Sequence, residues 1–165
     1  MRTRRIASVL TLVTLFVSGC SRVASPVEPT RDGLSVDPAL AAAYGLLLSN
    51  AATADWTNGT VAAWASADRP HLHHILVGSL PVGVRAQYDH VDTITVSPDL
   101  LDQRVEVMAA FIAHEIRHAD GVRHDCADGV RDAGGRGAWF VHLSVLRSYG
   151  LAREADIIRD TKFCG

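Results

Sequence analysis

The chain has 165 residues, of which 48% are hydrophobic and 21% are charged, and its formal net charge is −2. That length fits a single domain that is large enough to bury a core of its own. The slightly acidic balance argues against nucleic acid as a partner, because proteins that bind nucleic acid carry a strongly basic surface.

The N-terminal residues have the pattern of a secretory signal peptide. Three arginines occur within the first five residues, and a short apolar run covers residues 6–17. Such a run is too short to span a bilayer comfortably as a permanent helix. It leads into the letters VSGC, which end at Cys20 and resemble the lipobox of bacterial lipoproteins. The resemblance implies a signal peptide over residues 1–19 and a lipid on Cys20 that anchors the protein to a membrane without spanning it.

These features predict a location in the bacterial cell envelope, outside the cytoplasm. An ordinary secretory signal with an unrelated cysteine is the alternative. Residues 20–35 are rich in serine and proline and show no hydrophobic periodicity, so they are predicted to form a flexible tether. Residues 36–165 are predicted to form one domain, and they contain no second long apolar segment that would cross a membrane.

The domain shows helical and strand-like patterns in a definite order. Predicted helices cover residues 37–50, 61–67, 98–119 (with a break near residue 102), 138–149 and 152–160, and predicted strands cover residues 72–80, 84–88 and 91–96. Alternation of β-branched residues favours the last of these strands. The order predicts an α+β domain in which a short β-sheet packs on the long central helix, with further helices around it.

Residues 114–124 carry the most specific pattern in the chain, H-E-x-x-H-x-x-G-x-x-H. His114 and His118 are four residues apart, so on a helix both imidazoles lie on one face and can reach one metal ion. The glycine lets the chain turn, so that His124 can return to the same ion. Three neutral nitrogen ligands with an open fourth position are typical of a catalytic zinc site. Glu115 is placed to take a proton from a water molecule that the metal activates.

The same segment resembles the extended motif of metzincin-type zinc metallopeptidases, within the broader zincin group. The resemblance implies a minimal zincin-like domain and a peptide or protein substrate. It also implies one Zn²⁺ per chain on His114, His118 and His124, with Glu115 as general base. Metzincins carry a methionine turn downstream of the third ligand, whereas this chain has methionine only at positions 1 and 108. Another residue in that packing position, or a minimal zincin outside the named metzincin families, would account for the difference.

Two carboxylates close to the motif are candidates for hydrogen bonds that orient the ligands. Asp120 could make such a bond or could simply be a polar helix end, and Asp125 could orient His118 or a nearby backbone group. Asp125 could instead replace His124 as a ligand, since a carboxylate can complete a site that has two histidines. The sequence gives no interpretation for Asp132, and it predicts that His142 lies in a helix away from the motif.

Several other side chains are weaker candidates. Tyr149, His142 or an arginine could stabilise the negative charge that develops on a carbonyl oxygen under attack, as could zinc alone. Trp139 is predicted to belong to the core. The second histidine cluster, at residues 71, 73 and 74, is predicted to lie at the surface.

The cysteines fit an oxidising compartment. With Cys20 assigned to a lipid, Cys126 and Cys164 remain, and two such cysteines predict one disulfide. It would tie the loop after His124 to the C-terminal residues. A metal ligand or an inhibitory thiolate at Cys126 is the alternative.

Together these features predict a monomeric, lipid-anchored zinc metallopeptidase. A zinc-binding envelope lipoprotein without catalysis is the alternative from another class, although such a site has no need of a carboxylate at Glu115. A metallohydrolase that acts on cell-wall peptides is the third reading, and no residue selects between it and a general peptidase.

Overall fold

A computed structural model describes residues 33–57 and 59–164. The predicted signal peptide, Cys20 and most of the predicted tether lie outside these residues. Within them, no helix is both long enough and apolar enough to cross a membrane. Ser35, the last residue of the predicted tether, belongs to a β-strand.

The described residues form five α-helices, a four-stranded sheet and a two-stranded sheet. The helices are α1 (Ala41–Ser49), α2 (Val61–Ala65), α3 (Val105–Ala119), α4 (Ala138–Ser148) and α5 (Ala152–Lys162). The strands are β1 (Ser35–Val36), β2 (Thr53–Ala54), β3 (Gly59–Thr60), β4 (His74–Val77), β5 (Ala86–Tyr88) and β6 (Thr93–Val96). The predicted combination of helices with a short sheet is therefore confirmed.

The larger sheet has the strand order β1-β4-β6-β5. Strands β1, β4 and β6 run parallel, and β5 pairs with β6 in the antiparallel direction and forms one edge. Ile75, Ile94 and Val96 are completely buried. Ile94 and Val96 lie two residues apart and therefore on one face of β6, which is the face that packs on the helices.

Helix α3 lies at the centre of the fold, in contact with β5, β6, α1 and α4. It buries nine of its 15 residues, including Ile112 and Ile116. Each such isoleucine contributes about 1.5–3 kcal/mol through burial. The chain before it forms a short 3-10 turn at Pro98–Leu100 and restarts as α3 at Val105, so the predicted break in this helix is confirmed.

A tight turn joins β5 to β6. The carboxylate oxygen Oδ1 of Asp89 accepts the backbone N–H groups of Val91, Asp92 and Thr93 at 2.8, 3.0 and 3.0 Å. Within the turn His90 has a φ of 62°, which is the left-handed region that non-glycine residues rarely occupy. The predicted hairpin is therefore present, and it fixes β5 beside α3.

Some boundaries differ from the prediction. The predicted strand over 72–80 is shorter, α2 ends at Ala65, and α5 continues to Lys162. Strands β1, β2 and β3 were not predicted, because two residues are too few to show an alternating pattern.

Candidate metal centre

Three histidines converge where α3 ends. His114 and His118 are one helical turn apart on α3, and their Nε2 atoms are 3.1 Å apart. His124 joins them from the following loop, and the three potential ligand atoms all lie within 4.8 Å of one another. No other group of three or more potential ligands is found within 33–57 and 59–164. These histidines could hold a metal ion.

The turn after α3 explains how His124 returns to the helix. Gly121 has a φ of 81°, and its N–H donates to the carbonyl of His118 at 2.9 Å. The N–H of Val122 donates to the carbonyl of Arg117 at 3.4 Å. This pair of bonds is a Schellman motif, which reverses the chain at a left-handed glycine. The glycine of the sequence pattern therefore has a backbone role.

Hydrogen bonds fix the proton position on two of the rings. Nδ1 of His118 lies 2.7 Å from the carbonyl oxygen of Val122, and Nδ1 of His124 lies 2.7 Å from Oδ1 of Asp132. A carbonyl and a carboxylate only accept, so each Nδ1 must donate its proton. Each Nε2 then has a free lone pair that can bind a metal ion.

The two nitrogens on α3 are spaced like neighbouring ligands of one tetrahedral metal ion. Two nitrogen ligands of a tetrahedral zinc site are about 3.3 Å apart, given zinc–nitrogen distances near 2.05 Å. The 3.1 Å separation of the two α3 nitrogens is close to this value. Burial, the largest cause in each case, lowers the pKa of His118 and holds the pKa of His114 well below its usual range. Both rings are therefore neutral near pH 7, which is the form that binds metal.

Glu115 lies beside this cluster and faces the sheet. It is 5% exposed, and its Oε2 accepts the backbone N–H of Tyr88 in β5 at 2.8 Å. Burial raises the pKa of Glu115 to about 7, against the opposing effects of the Tyr88 amide and the nearby His124. The position after His114 on α3 therefore carries a fixed carboxylate between the cluster and the edge strand.

Helix α4 supplies a wall of the site. The ring centroid of Trp139 lies 4.1 Å from that of His114 and 6.0 Å from that of His124. The rings of Trp139 and His124 are nearly parallel. The ring of the completely buried His142 lies 6.0 Å from that of His114 and 4.6 Å from that of Phe111. The prediction that His142 lies away from the motif was wrong, because α4 packs along α3. Trp139 was predicted to belong to the core. It is half-buried and borders the three histidines.

Asp120 is a polar end of helix α3, the second of its two predicted roles, and does not bond to the candidate ligands. Its carboxylate accepts Nε1–H of Trp64 and Nε–H of Arg69, both at 2.8 Å. Among the described contacts it makes no hydrogen bond to a histidine of the cluster. It lies at the C-terminal end of α3, where it points to α2 and ties that helix to α3.

Asp125 bonds to a nearby backbone group, which is one of its predicted roles, and not to His118. Its Oδ1 accepts the backbone N–H of Ala133 across the loop. It does not belong to the group of converging ligand atoms, in which the third position is His124. The carboxylate thus closes the loop on itself rather than orienting or replacing a ligand.

Asp132 is the carboxylate that does contact a ligand, and sequence reasoning missed it. It is completely buried, and its Oδ1 accepts Nδ1–H of His124 while its Oδ2 accepts the backbone N–H of Trp139 at 2.8 Å. It lies eight residues after His124. No spacing rule connects two residues across an irregular loop, so nothing in the sequence pattern singles it out.

The two cysteines close this loop against the C-terminal residues. Cys126 and Cys164 form a disulfide with their Cα atoms 6.3 Å apart. Cys126 is therefore not a free ligand. The same tail pairs with Asp132, whose N–H donates to the carbonyl of Lys162 and whose carbonyl accepts the N–H of Cys164, at 3.0 and 3.1 Å.

The remaining candidates lie elsewhere. Nε2 of His71 is 2.6 Å from the carbonyl of Ala119, and the rings of His73 and His74 are 6.4 Å apart without forming a ligand group. Tyr149 is the C-cap of α4. It is roughly 15 Å along the helix from Trp139 at 1.5 Å per residue, so it is poorly placed to act beside the cluster.

Comparisons of this chain with protein-family models, with curated proteins and with solved structures find no match. The zincin resemblance of residues 114–124 stays a prediction, and the function has to be inferred from the site.

Proposed function

We propose that this protein is a zinc-dependent peptidase of minimal zincin type, anchored through Cys20 to the bacterial cell envelope. The observation that carries the proposal is the convergence of His114, His118 and His124 with the buried carboxylate of Glu115 beside them. A binding site alone would need the histidines but not the carboxylate.

The histidines would hold the ion through their Nε2 atoms. Hydrogen bonds from Nδ1 of His118 to Val122 and from Nδ1 of His124 to Asp132 leave Nε2 of these two rings for the ion. Bound there, zinc would supply Lewis-acid activation of a water molecule and of the scissile carbonyl.

Glu115 would act as general base and then as general acid. The bond from Tyr88 N–H to Oε2 fixes the orientation of the carboxylate, and Oε1 makes no hydrogen bond to a described residue. Oε1 can therefore accept the proton of the attacking water and pass it to the departing amine.

The edge strand β5 supports a peptide as the substrate. The N–H of Asp89 donates to the carbonyl of Thr93 in β6 at 3.0 Å, and the carbonyl of Arg85 accepts the N–H of Ser97, directly after β6, at 2.8 Å. Because backbone groups alternate in direction along a strand, those of Ala86 and Tyr88 point away from β6. The N–H of Tyr88 already donates to Glu115, so the N–H and carbonyl of Ala86 and the carbonyl of Tyr88 are the groups that a peptide could bind. An extended peptide that added to this edge would lie next to Glu115.

The proposal is tested by metal analysis and peptide cleavage with the full-length protein in detergent. Glu115→Gln keeps an oxygen for the Tyr88 amide but cannot take a proton, so it should retain zinc and lose at least about 100-fold in cleavage rate. Glu106→Gln is the matched control, because it makes the same change on the same helix at a side chain that pairs with Arg104.

The outcomes separate the candidate functions. One zinc per chain with cleavage that depends on Glu115 supports the peptidase. Zinc without cleavage of either a mixed peptide library or cell-wall peptides would favour the non-catalytic lipoprotein. Cleavage of cell-wall peptides alone would identify the narrower metallohydrolase, and a protein that binds no zinc would refute the proposal.

A further inference from the structure

We propose that Asp132 is a positioning residue that sets the proton on the third ligand and holds helix α4 against the site. The role rests on the proposed function, because it takes His124 to be a metal ligand. Asp132 would touch neither the substrate nor the ion, and it would act through its two neighbours, His124 and Trp139.

Asp132 is the buried carboxylate of the loop, whereas Asp125 and Asp128 are exposed. Its side chain is completely buried, and each oxygen accepts one hydrogen bond, from Nδ1 of His124 at 2.7 Å and from the N–H of Trp139 at 2.8 Å. Its backbone N–H and carbonyl bond to Lys162 and Cys164. All four hydrogen-bonding groups have partners, so the carboxylate has one fixed orientation.

The bond to His124 decides which ring nitrogen can bind a metal. Because the carboxylate accepts, Nδ1 carries the proton and Nε2 keeps its lone pair. A carboxylate behind a ligating histidine fixes the ring in this way and raises its basicity as a ligand.

The second bond attaches the same carboxylate to α4. The N-cap of α4 is Gly137, which has no side chain to accept the free N–H groups of the first turn. Asp132 accepts one of them from outside the helix, at a terminus that also favours negative charge. Since Trp139 packs on His114 and His124, the carboxylate fixes both a ligand and the wall behind it.

Only a group that accepts twice can make both bonds. Asparagine has the same shape, but its amide nitrogen donates. If its oxygen faced Trp139 N–H, the amide nitrogen would face Nδ1 of His124 and force the ring proton onto Nε2, the metal-binding atom. If its oxygen faced His124, two N–H groups would oppose each other at the start of α4.

The test is zinc affinity, measured on the metal-free full-length protein by competition with a chromophoric chelator. Asp132→Asn should weaken binding about 10–100-fold, the usual effect of losing such a partner. Asp128→Asn is the matched control, because this carboxylate lies in the same loop and bonds only to Val130 and Arg131. It should leave the affinity unchanged.

A double-mutant cycle separates positioning from a general effect on the fold. In a His124→Ala background, Asp132→Asn should weaken zinc binding by a clearly smaller factor, because only its bond to Trp139 remains to be lost. An equal loss in both backgrounds would overturn the positioning role. If His124→Ala alone left the affinity unchanged, the ligand set of the proposed function would fail instead, and the two failures are distinguishable.

A measurement on the unmodified protein covers the case in which Asp132→Asn does not fold. Long-range proton–nitrogen NMR correlations report which imidazole nitrogen is protonated. The proposal expects the Nδ1–H form of His124 in the metal-free protein, and finding the Nε2–H form would overturn it.

Discussion

Replacing Gly137 with alanine should damage the proposed metal site without changing any of the three histidines. A Cβ at this position would lie 2.0 Å from Oδ2 and 2.2 Å from Cγ of Asp132. Non-bonded carbon atoms need about 3.5 Å, so the carboxylate would have to move by more than about 1 Å. The φ of Gly137 is −72°, so the added methyl group strains the contact and not the backbone.

The expected magnitude follows from the two bonds that the carboxylate makes. They measure 2.7 and 2.8 Å, and a displacement of about 1 Å away from both donors would break both. Hydrogen bonds to charged groups contribute about 1.5–3 kcal/mol each. We therefore expect Gly137→Ala to lower the free energy of unfolding by roughly 3–6 kcal/mol, with weaker zinc binding.

Urea unfolding of the metal-free protein and a zinc titration measure these effects. Gly135→Ala is the matched control, because a Cβ there meets no atom within 4 Å. Loss of glycine from an N-cap accounts for no more than about 1 kcal/mol by itself. The role assigned to the carboxylate would be refuted if the two variants, Gly137→Ala and Gly135→Ala, had free energies of unfolding within that margin of each other and the zinc affinity of Gly137→Ala were unchanged.

Two further predictions concern stability. Serine at both Cys126 and Cys164 removes a cross-link between residues that are 38 apart in the sequence. On the chain-entropy model this lowers the free energy of unfolding by about 4 kcal/mol, and a loss below about 1 kcal/mol in urea unfolding would contradict the prediction. Burial lowers the pKa of His142 to about 3, whereas an unfolded histidine titrates near 6.5. The unfolded state therefore binds the extra proton between these values, and acidification from pH 6.5 to 3 should remove roughly 5 kcal/mol of stability. In the metal-free protein, His142→Leu should abolish that loss. If the free energies of unfolding of the variant and the wild type differed by the same amount at every pH, the prediction would be contradicted.

The parts of the site that depend on local spacing could be predicted from the sequence. His114 and His118 meet because four residues make one helical turn, and Gly121 marks the turn that brings His124 back. The central helix, its break before Val105 and the β5–β6 hairpin follow from equally local patterns.

The parts that depend on packing between distant segments could not be predicted. Asp132 reaches His124 because the loop is closed by Asp125, by the disulfide and by pairing with the C-terminal residues. His142 approaches His114 because of how α4 lies on α3, and periodicity gives the apolar face of a helix but not its partner.

The loop that carries His124 is fastened on both sides of that residue. A Schellman turn fixes the chain at Gly121, and the disulfide at Cys126 fixes it two residues after the ligand. The third imidazole therefore has little freedom to swing away while the other two still hold an ion. For the proposed zinc ion, release that begins with His124 is therefore disfavoured, and we expect a chelator to extract the ion slowly. Reduction of the disulfide should make the same extraction faster, because the loop that carries His124 can then move away while α3 stays folded.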